Sequence, residues 1–466
     1  MITRTLEQVA AMCGGEVWNT EDKQVTIQGV TTDSRSVAGG CLFVPLIGER
    51  FDGHQFAGDC LAAGANAVLW DKAKGTPPGP AVLVDDTLEA LQRLAQSYLQ
   101  ESKARVVGIT GSNGKTTTKD IVYSLLSTTY SVHKTQGNFN NHIGLPLTIL
   151  SMPEHTEIAV LEMGMSGRYE IELLSKLAEP EVAVITNIGE AHLLQLGSRL
   201  EIARAKLEIL AGLKPGGLLV YEGDEPLIAE VLQEPGTVKQ DHFTTATFGL
   251  APHNDDYPVG MMFLDDGTVF TSSAQGDTPL HLPILGQHNV INCLAAIAVA
   301  RYFGVTVQAM KEGLANVQLT GMRIEVITGD SGVTILNDAY NASPTSMKAA
   351  IGVLHNMKGF RQKIAVLGDM LELGPTENDL HRDVGAFLTP DKVDHLFTYG
   401  ALGTKIAEGA AGHLDQERIH AYTDKIELIT DLLDVLHPED VILVKASRGM
   451  RLEEVVEAVK CNDLHQ

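Results

Sequence analysis

Arg105-Val106-Val107-Gly108-Ile109-Thr110-Gly111-Ser112-Asn113-Gly114-Lys115-Thr116-Thr117-Thr118 runs from an apolar stretch through a glycine turn into a helix-like segment that ends near Ser127. The apolar stretch has the character of a strand buried in a parallel sheet, and strand, glycine turn and helix in that order make a phosphate cradle. Glycines at 111 and 114 let the backbone turn tightly and bring N–H groups close to phosphate oxygens, while the positive end of the helix faces the same anion. Lys115 is then placed to reach the outer phosphates of a nucleotide, and the Thr116 hydroxyl to hold Mg²⁺. The usual spacing, G-x-x-x-x-G-K-[ST], asks for glycine at position 109; this chain has Ile109, with glycines at 108 and 111 instead, so the loop is a variant. An ordinary strand-to-helix turn is the alternative for a bare Gly-Lys-Thr triplet, and the ordered context counts against it.

Outward from this loop, apolar runs predict further strands over 158–162, 182–186 and 218–221, separated by helical stretches, as expected of a parallel sheet with crossover helices. Between 243 and 285 the pattern changes to short strand-like pieces around Asp265-Asp266-Gly267, a hairpin signal read as a β insertion that closes the central domain, before helix resumes at 289–302. The segment to about residue 100 alternates short apolar runs (41–46, 66–70, 81–84) with turns such as Lys74-Gly75-Thr76-Pro77-Pro78-Gly79-Pro80 and reads as a small α/β domain. After Gln318-Leu319-Thr320-Gly321 a further α/β set begins, with strands near 334–337, 364–367, 395–399 and 441–445. The expected fold is therefore α/β in three domains: 1–100, a central phosphate-loop domain over 101–318, and a Rossmann-like domain over 319–466.

The balance of 35 Lys and Arg against 59 Asp and Glu gives a formal charge of −24, which opposes nonspecific association with nucleic acid or anionic membrane. A polyphosphate ligand must then be met by local positive groups and metal ions. The five cysteines (Cys13, Cys41, Cys60, Cys293, Cys461) are scattered and lack C-x-x-C spacing, which argues against a disulfide framework or a zinc site. Met1-Ile2-Thr3-Arg4-Thr5-Leu6-Glu7 has no signal-peptide core, and no later stretch approaches a membrane span, so a cytoplasmic protein without membrane insertion is expected.

Other candidates come from strand ends, where ligands of open α/β sheets bind. Glu162 closes an apolar run and can coordinate Mg²⁺ beside the loop; a solvated strand-end acid is the alternative. Thr186-Asn187-Ile188-Gly189-Glu190-Ala191-His192 ends in an imidazole, which ligates metal only when neutral, and Glu190 is a supporting candidate. Lys206 lies in a helical stretch, 201–213, with Ala203, Leu207 and Leu210 as its apolar stripe, and spacing alone makes it a solvent-facing lysine.

Taken together, Gly111-Ser112-Asn113-Gly114-Lys115-Thr116, Glu162, Thr186-Asn187 with His192, and Gly286-Gln287-His288-Asn289-Val290-Ile291-Asn292 resemble the Mur ligase family, ATP-dependent amide-forming enzymes of peptidoglycan precursor synthesis. The resemblance spans the chain and continues through Gly321-Met322-Arg323, Asn337-Asp338-Ala339-Tyr340-Asn341-Ala342-Ser343-Pro344 and Lys445-Ala446-Ser447-Arg448. Gln136-Gly137-Asn138-Phe139-Asn140-Asn141 and Leu367-Gly368-Asp369-Met370-Leu371-Glu372-Leu373-Gly374, with His381 beyond, point to the family's member that adds D-alanyl-D-alanine to UDP-N-acetylmuramoyl-tripeptide. Ala446 and Ser343 depart from the glycine and asparagine usual there, and the Asp-Asn-Pro-Arg motif of the tripeptide synthase is absent.

The resemblance implies a set of roles. ATP would be held by Gly111 to Thr117, Asn292, Arg323 and Asp338; Mg²⁺ by Thr116, Glu162, His192 and a carbamylated Lys206. The UDP substrate would meet Ser34, Arg35, Gly53 and His54 in the first domain, where a guanidinium suits a diphosphate. Asn138, Asn140, Asn141, Tyr340, Asn341, Lys445, Ser447 and Arg448 would complete the substrate site of a monomer. A ligase adding the third amino acid, a folylpolyglutamate synthase and a regulatory nucleotide-hydrolysing module remain as alternatives.

Overall fold

The chain is described by a computed structural model over residues 1–239 and 241–462. Its centre is a six-stranded, all-parallel sheet in the order Thr244–Phe248, Leu218–Glu222, Val182–Ile185, Arg105–Thr110, Ile158–Glu162, Val132–Lys134. Both faces are covered, which is why the four inner strands read as largely apolar runs. Ala159, Leu161, Ala183, Ile185 and Leu219 face one core, whereas Val107, Ile109, Val160, Val184 and Val220 face another against the helices Lys115–Leu126 and Gln287–Tyr302. The first core also holds Leu6, Val9, Leu91, Leu94 and Tyr98, so the N-terminal helices pack directly on the central sheet.

The N-terminal segment adds a five-stranded sheet ordered Glu16–Val17, Ala81–Val84, Ala67–Asp71, Leu42–Phe43, Val30–Thr31. The helix Thr87–Ser102 leaves it toward the central sheet, started by Asp86, whose carboxylate accepts the N–H groups of Leu88 and Glu89 at 2.8 Å each. A third sheet of six strands is ordered Glu325–Thr328, Thr334–Asn337, Val441–Lys445, Lys363–Gly368, His395–Tyr399, Ile419–Tyr422, parallel except for the first. Among the described residues no helix is long and apolar enough to cross a membrane.

Two expectations change. The 243–285 stretch is not one insertion: Thr244–Phe248 extends the central parallel sheet, and only Pro258–Leu264, Gly267–Ser272 and Pro279–Leu282 form a separate antiparallel sheet, turning at Asp265-Asp266. The helical stretch containing Lys206 runs Arg199–Leu207 and tightens to 3₁₀ over Glu208–Gly212, and Lys206 is 1% exposed rather than solvent-facing.

Candidate functional site

Strand Arg105–Thr110 has Ile158–Glu162 on one side and Val182–Ile185 on the other, so the chain reverses direction across the sheet at this strand. The crevice at that point is where an open α/β sheet takes its ligand. A cleft of about 1100 Å³ lies there and extends under the third sheet's loops.

The phosphate loop is built tightly at its base. Ser112 N donates to Asn187 O at 3.1 Å and Asn113 N to Asn187 Oδ1 at 2.9 Å, while Asn187 Nδ2 and Thr186 Oγ1 both donate to Asn113 O, at 3.1 and 2.5 Å. A Cβ at Gly111 would lie 1.9 Å from Thr186 Oγ1, and its φ of +147° is one that L side chains rarely adopt, so the turn admits only glycine. Lys115 Nζ folds back onto Gly111 O at 2.8 Å, and burial lowers its proton affinity, with Arg323 adding to the effect and Glu162 opposing it. Ser112 Oγ and Asn113 Nδ2 line the cleft and are buried without hydrogen-bond partners among the described residues, an unmet donor pair that an anion would satisfy.

Thr116 Oγ1 donates to Glu162 Oε2 at 2.8 Å and Asn140 Nδ2 to Glu162 Oε1 at 2.8 Å, with Glu162 only 3% exposed. A hydroxyl against a carboxylate suits a hard cation such as Mg²⁺. Among the described residues no three His, Cys, Asp or Glu side chains group as a metal site, so phosphate oxygens and other donors would have to fill the coordination sphere. His192, at φ 67°, presents Nδ1 to Glu372 Oε2 at 2.9 Å, which leaves Nε2 for a ligand; burial and the neighbouring Lys206 and Lys115 keep the imidazole neutral to lower pH than usual. Lys206 does not line the cleft: it is buried beside it, and desolvation first, then Lys115, lowers its proton affinity well below that of an ordinary lysine.

The third sheet contributes the cleft's far wall. Lys445 Nζ donates to Asp338 Oδ2 at 2.6 Å and to Asn341 O at 2.8 Å, and Arg323 stacks 4.4 Å above Tyr340. Leu371 N donates to Ser447 Oγ at 2.9 Å, and His381 braces the same loop, accepting Met370 N–H at 2.9 Å. Ser343 Oγ reaches Asn113 Oδ1 at 3.1 Å and Thr345 Oγ1 reaches Glu190 Oε2 at 2.8 Å, so both walls touch across the nucleotide loop. Asn138, Asn141, Asn292 and Arg448 also line this cleft.

Ser34, Arg35, Gly53 and His54 do not line it. His54, in the 3₁₀ turn Gly53–Phe56, is 7% exposed, with Nδ1 at 2.7 Å from Asp52 Oδ1, Nε2 accepting Asp71 N–H at 3.4 Å and the ring edge-on to Trp70, so both ring nitrogens are engaged within the N-terminal segment. Arg35 pairs twice with Asp33, at 2.9 Å each.

Sequence reasoning misses Glu222, although it ends an apolar strand just as Glu162 does. It lines the cleft, and burial, reinforced by Asp224 and Glu225, pushes its carboxyl up to about 7. A carboxyl raised in the folded state favours folding while protonated, and that contribution is lost as pH climbs from the ordinary carboxylate range through about 7. Glu222→Gln is therefore expected to stabilise the fold at pH 8 by about 1–3 kcal/mol and to change little at pH 5. Thermal melts at both pH values check this; an equal shift at both would contradict the ionisation argument.

The chain matches the Mur ligase family catalytic domain over residues 26–99, the Mur ligase middle domain over 109–300 and the Mur ligase glutamate ligase domain over 322–448. It is 52% identical over 98% of its length, and 98% of the relative's, to the UDP-N-acetylmuramoyl-tripeptide--D-alanyl-D-alanine ligase of Bacillus subtilis. Among solved structures, MurF from Acinetobacter baumannii superposes with a TM-score of 0.89 at 31% identity, covering 99% of both chains. MurF ligase from Thermotoga maritima in complex with ADP superposes with a TM-score of 0.81 at 32% identity, covering 93% of this chain and 97% of that one. By domain content, by sequence along its whole length and by fold, the chain belongs to the Mur ligase family.

Proposed function

We propose that this chain uses ATP to join D-alanyl-D-alanine to UDP-N-acetylmuramoyl-tripeptide, giving the pentapeptide precursor, as a cytoplasmic monomer of three units over 1–100, 101–318 and 319–466. The observation that carries the reading is the cleft in which the phosphate loop, Thr116 and Glu162 face Arg323, Asp338 and Lys445 of the third sheet. The 52% identity to the Bacillus subtilis ligase supports the choice of substrates.

The tripeptide's terminal carboxylate attacks the γ-phosphorus of ATP, forming an acyl phosphate and releasing ADP. The dipeptide amine then attacks the acyl carbon, losing a proton and expelling inorganic phosphate as the amide forms. Two anions must first approach each other, and Lys115 and Arg323 lower that repulsion with charges fixed before the reaction begins. Thr116 and Glu162, and His192 with a carbamylated Lys206, would hold Mg²⁺, which would supply further charge neutralisation. Asn140 orients Glu162, and the contacts of Ser343 and Thr345 across the loop narrow the cleft against water, which would hydrolyse the acyl phosphate. The N-terminal sheet, with Arg35 in its loop, remains the place for the uridine diphosphate.

Purified protein given ATP, Mg²⁺ and UDP-muramoyl tripeptide is expected to release phosphate only when D-alanyl-D-alanine is present, with a UDP-muramoyl pentapeptide identified by mass. Release indifferent to both substrates would overturn the ligase reading and favour a nucleotide-hydrolysing regulatory module.

A further inference from the structure

The helix that opens with Lys115 and Thr116 carries a buried acid with no part in the phosphate chemistry above. Asp120 is 1% exposed and draws on two elements besides its own helix. Its Oδ1 pairs with Lys134 Nζ, at the end of the sheet's edge strand, at 2.7 Å, and lies 3.4 Å from Lys119 Nζ. Its Oδ2 accepts Thr320 N at 2.8 Å and Thr320 Oγ1 at 2.9 Å, across 200 residues of sequence. Thr320 belongs to the single segment by which the chain crosses from the central sheet to the third, so the nucleotide helix holds the crossing by its backbone and its side chain together.

The residues just beyond Thr320 form a strained turn. Met322 and Ile324 have φ of 61° and 51°, and a β-branched residue in the left-handed region is held there only by its surroundings. Met322 N donates to Glu325 Oε2 at 3.0 Å, and Asn337 Nδ2 to the same oxygen at 3.3 Å, which closes the turn from the third-sheet side. Between the two left-handed residues sits Arg323, lining the cleft, stacked on Tyr340 and with Nε buried and lacking a hydrogen-bond partner among the described residues. A side chain with an unmet donor at the end of a strained turn keeps its aim only if the turn is fixed on both flanks. Glu325 fixes one flank, and Asp120, through Thr320, fixes the other.

We propose that Asp120 is a positioning residue: through Thr320 it clamps the interdomain crossing to the nucleotide helix, so that Arg323 meets the phosphates held by the loop that begins that helix. The proposal rests on the assignment of the cleft to ATP. The phosphate loop and the arginine then share one rigid frame, although they belong to different sheets. A purely structural ion pair at Asp120 would stabilise the fold without coupling to Arg323, and that is the distinction to be tested.

Thr320 is the place to probe, because removing Asp120 itself would strand Lys119 and Lys134 without a counter-charge. Calorimetry would measure the affinity of the full chain for β,γ-methylene-ATP with Mg²⁺ in the unmodified protein, Thr320→Val, Thr320→Ser, Arg323→Ala and the double variant Thr320→Val with Arg323→Ala. Thr320→Val is expected to weaken binding about three- to tenfold, the scale of one ordinary hydrogen bond, since the backbone N–H of residue 320 still reaches Asp120, while Thr320→Ser keeps it within about twofold. In the Arg323→Ala background the Thr320→Val change is expected to cost nothing further, since the clamp acts through that arginine. The same loss in both backgrounds, or no loss in the first, overturns the proposal. A chain that binds the analogue but makes no pentapeptide overturns the ligase reading and leaves the clamp to be judged by these affinities; a chain that binds no analogue overturns the nucleotide assignment itself.

Discussion

Lys115→Ala is expected to reduce ATP-dependent amide formation by about a thousandfold or more while leaving the chain folded. Among the described residues the lysine's ammonium bonds only to its own loop, at Gly111 O and, more weakly, Ser112 O at 3.4 Å, whereas the loop's shape is set by the Asn113, Thr186 and Asn187 contacts that this substitution leaves in place. Its ammonium is partly buried, and desolvation, with Arg323 adding to it, outweighs the attraction of Glu162, so its proton affinity falls. A group that costs the fold and is kept is one whose charge is used elsewhere. The thermal midpoint is therefore expected to stay level or rise as turnover collapses. Lys115→Arg should rescue little, because a planar fork cannot take the place of a compact ammonium inside the loop. Turnover near that of the unmodified chain in Lys115→Ala, measured as ADP formed with both substrates present, would remove the phosphate-loop assignment.

The loop is legible because strand, glycines and helix start lie next to one another in sequence, and the buried strands because both faces of each are covered. The structure adds why the glycines are obligatory: a Cβ at Gly114 would lie 2.4 Å from Asn292 Oδ1, a contact between residues far apart in the chain. Edge strands are not legible. Val132–Lys134, with its histidine and lysine, and Ile419–Tyr422 each pair on one side only, and neither needs an apolar run. Thr244–Phe248 reads as part of the neighbouring β insertion because its threonines resemble hairpin strands, yet its register with Leu218–Glu222 places it in the parallel sheet. The pairings of His192 with Glu372 and of Asp120 with Thr320 have no sequence signal: His192 stands out by following a strand end, but nothing local says that Glu372 will meet it or that Asp120 will hold Thr320. His54 shows the opposite limit: its motif stands out in the sequence, and its ring is engaged by Asp52 and packed against Trp70.

Lys206→Ala is expected to lower turnover by about a hundred- to a thousandfold, with partial recovery of about tenfold when formate or acetate is supplied. Spacing alone suggests a solvent-facing lysine, and burial overturns that: at 1% exposure, close to Lys115, the amine loses its proton far more readily than an ordinary lysine does. A neutral amine can attack CO₂, forming a C–N bond and losing a proton to give a carbamate anion. That reaction reverses the site's electrostatics, because an amine whose charged form Lys115 repels becomes an anion attracted to Lys115, and oxygen donors appear where the described His, Cys, Asp and Glu side chains form no metal group. Since the amine must be unprotonated, its lowered proton affinity extends carbamate formation down toward neutral pH, and acidification should reverse it. Carbon NMR of the protein in ¹³C-bicarbonate is expected to show a carbamate resonance that is missing from Lys206→Ala and fades as the pH is lowered. A small acid restores turnover only if the missing group is an anion, so recovery with acetate but not with methylamine is the expected pattern. A resonance that persists in Lys206→Ala, or turnover within about threefold of the unmodified chain, would remove Lys206 from the site.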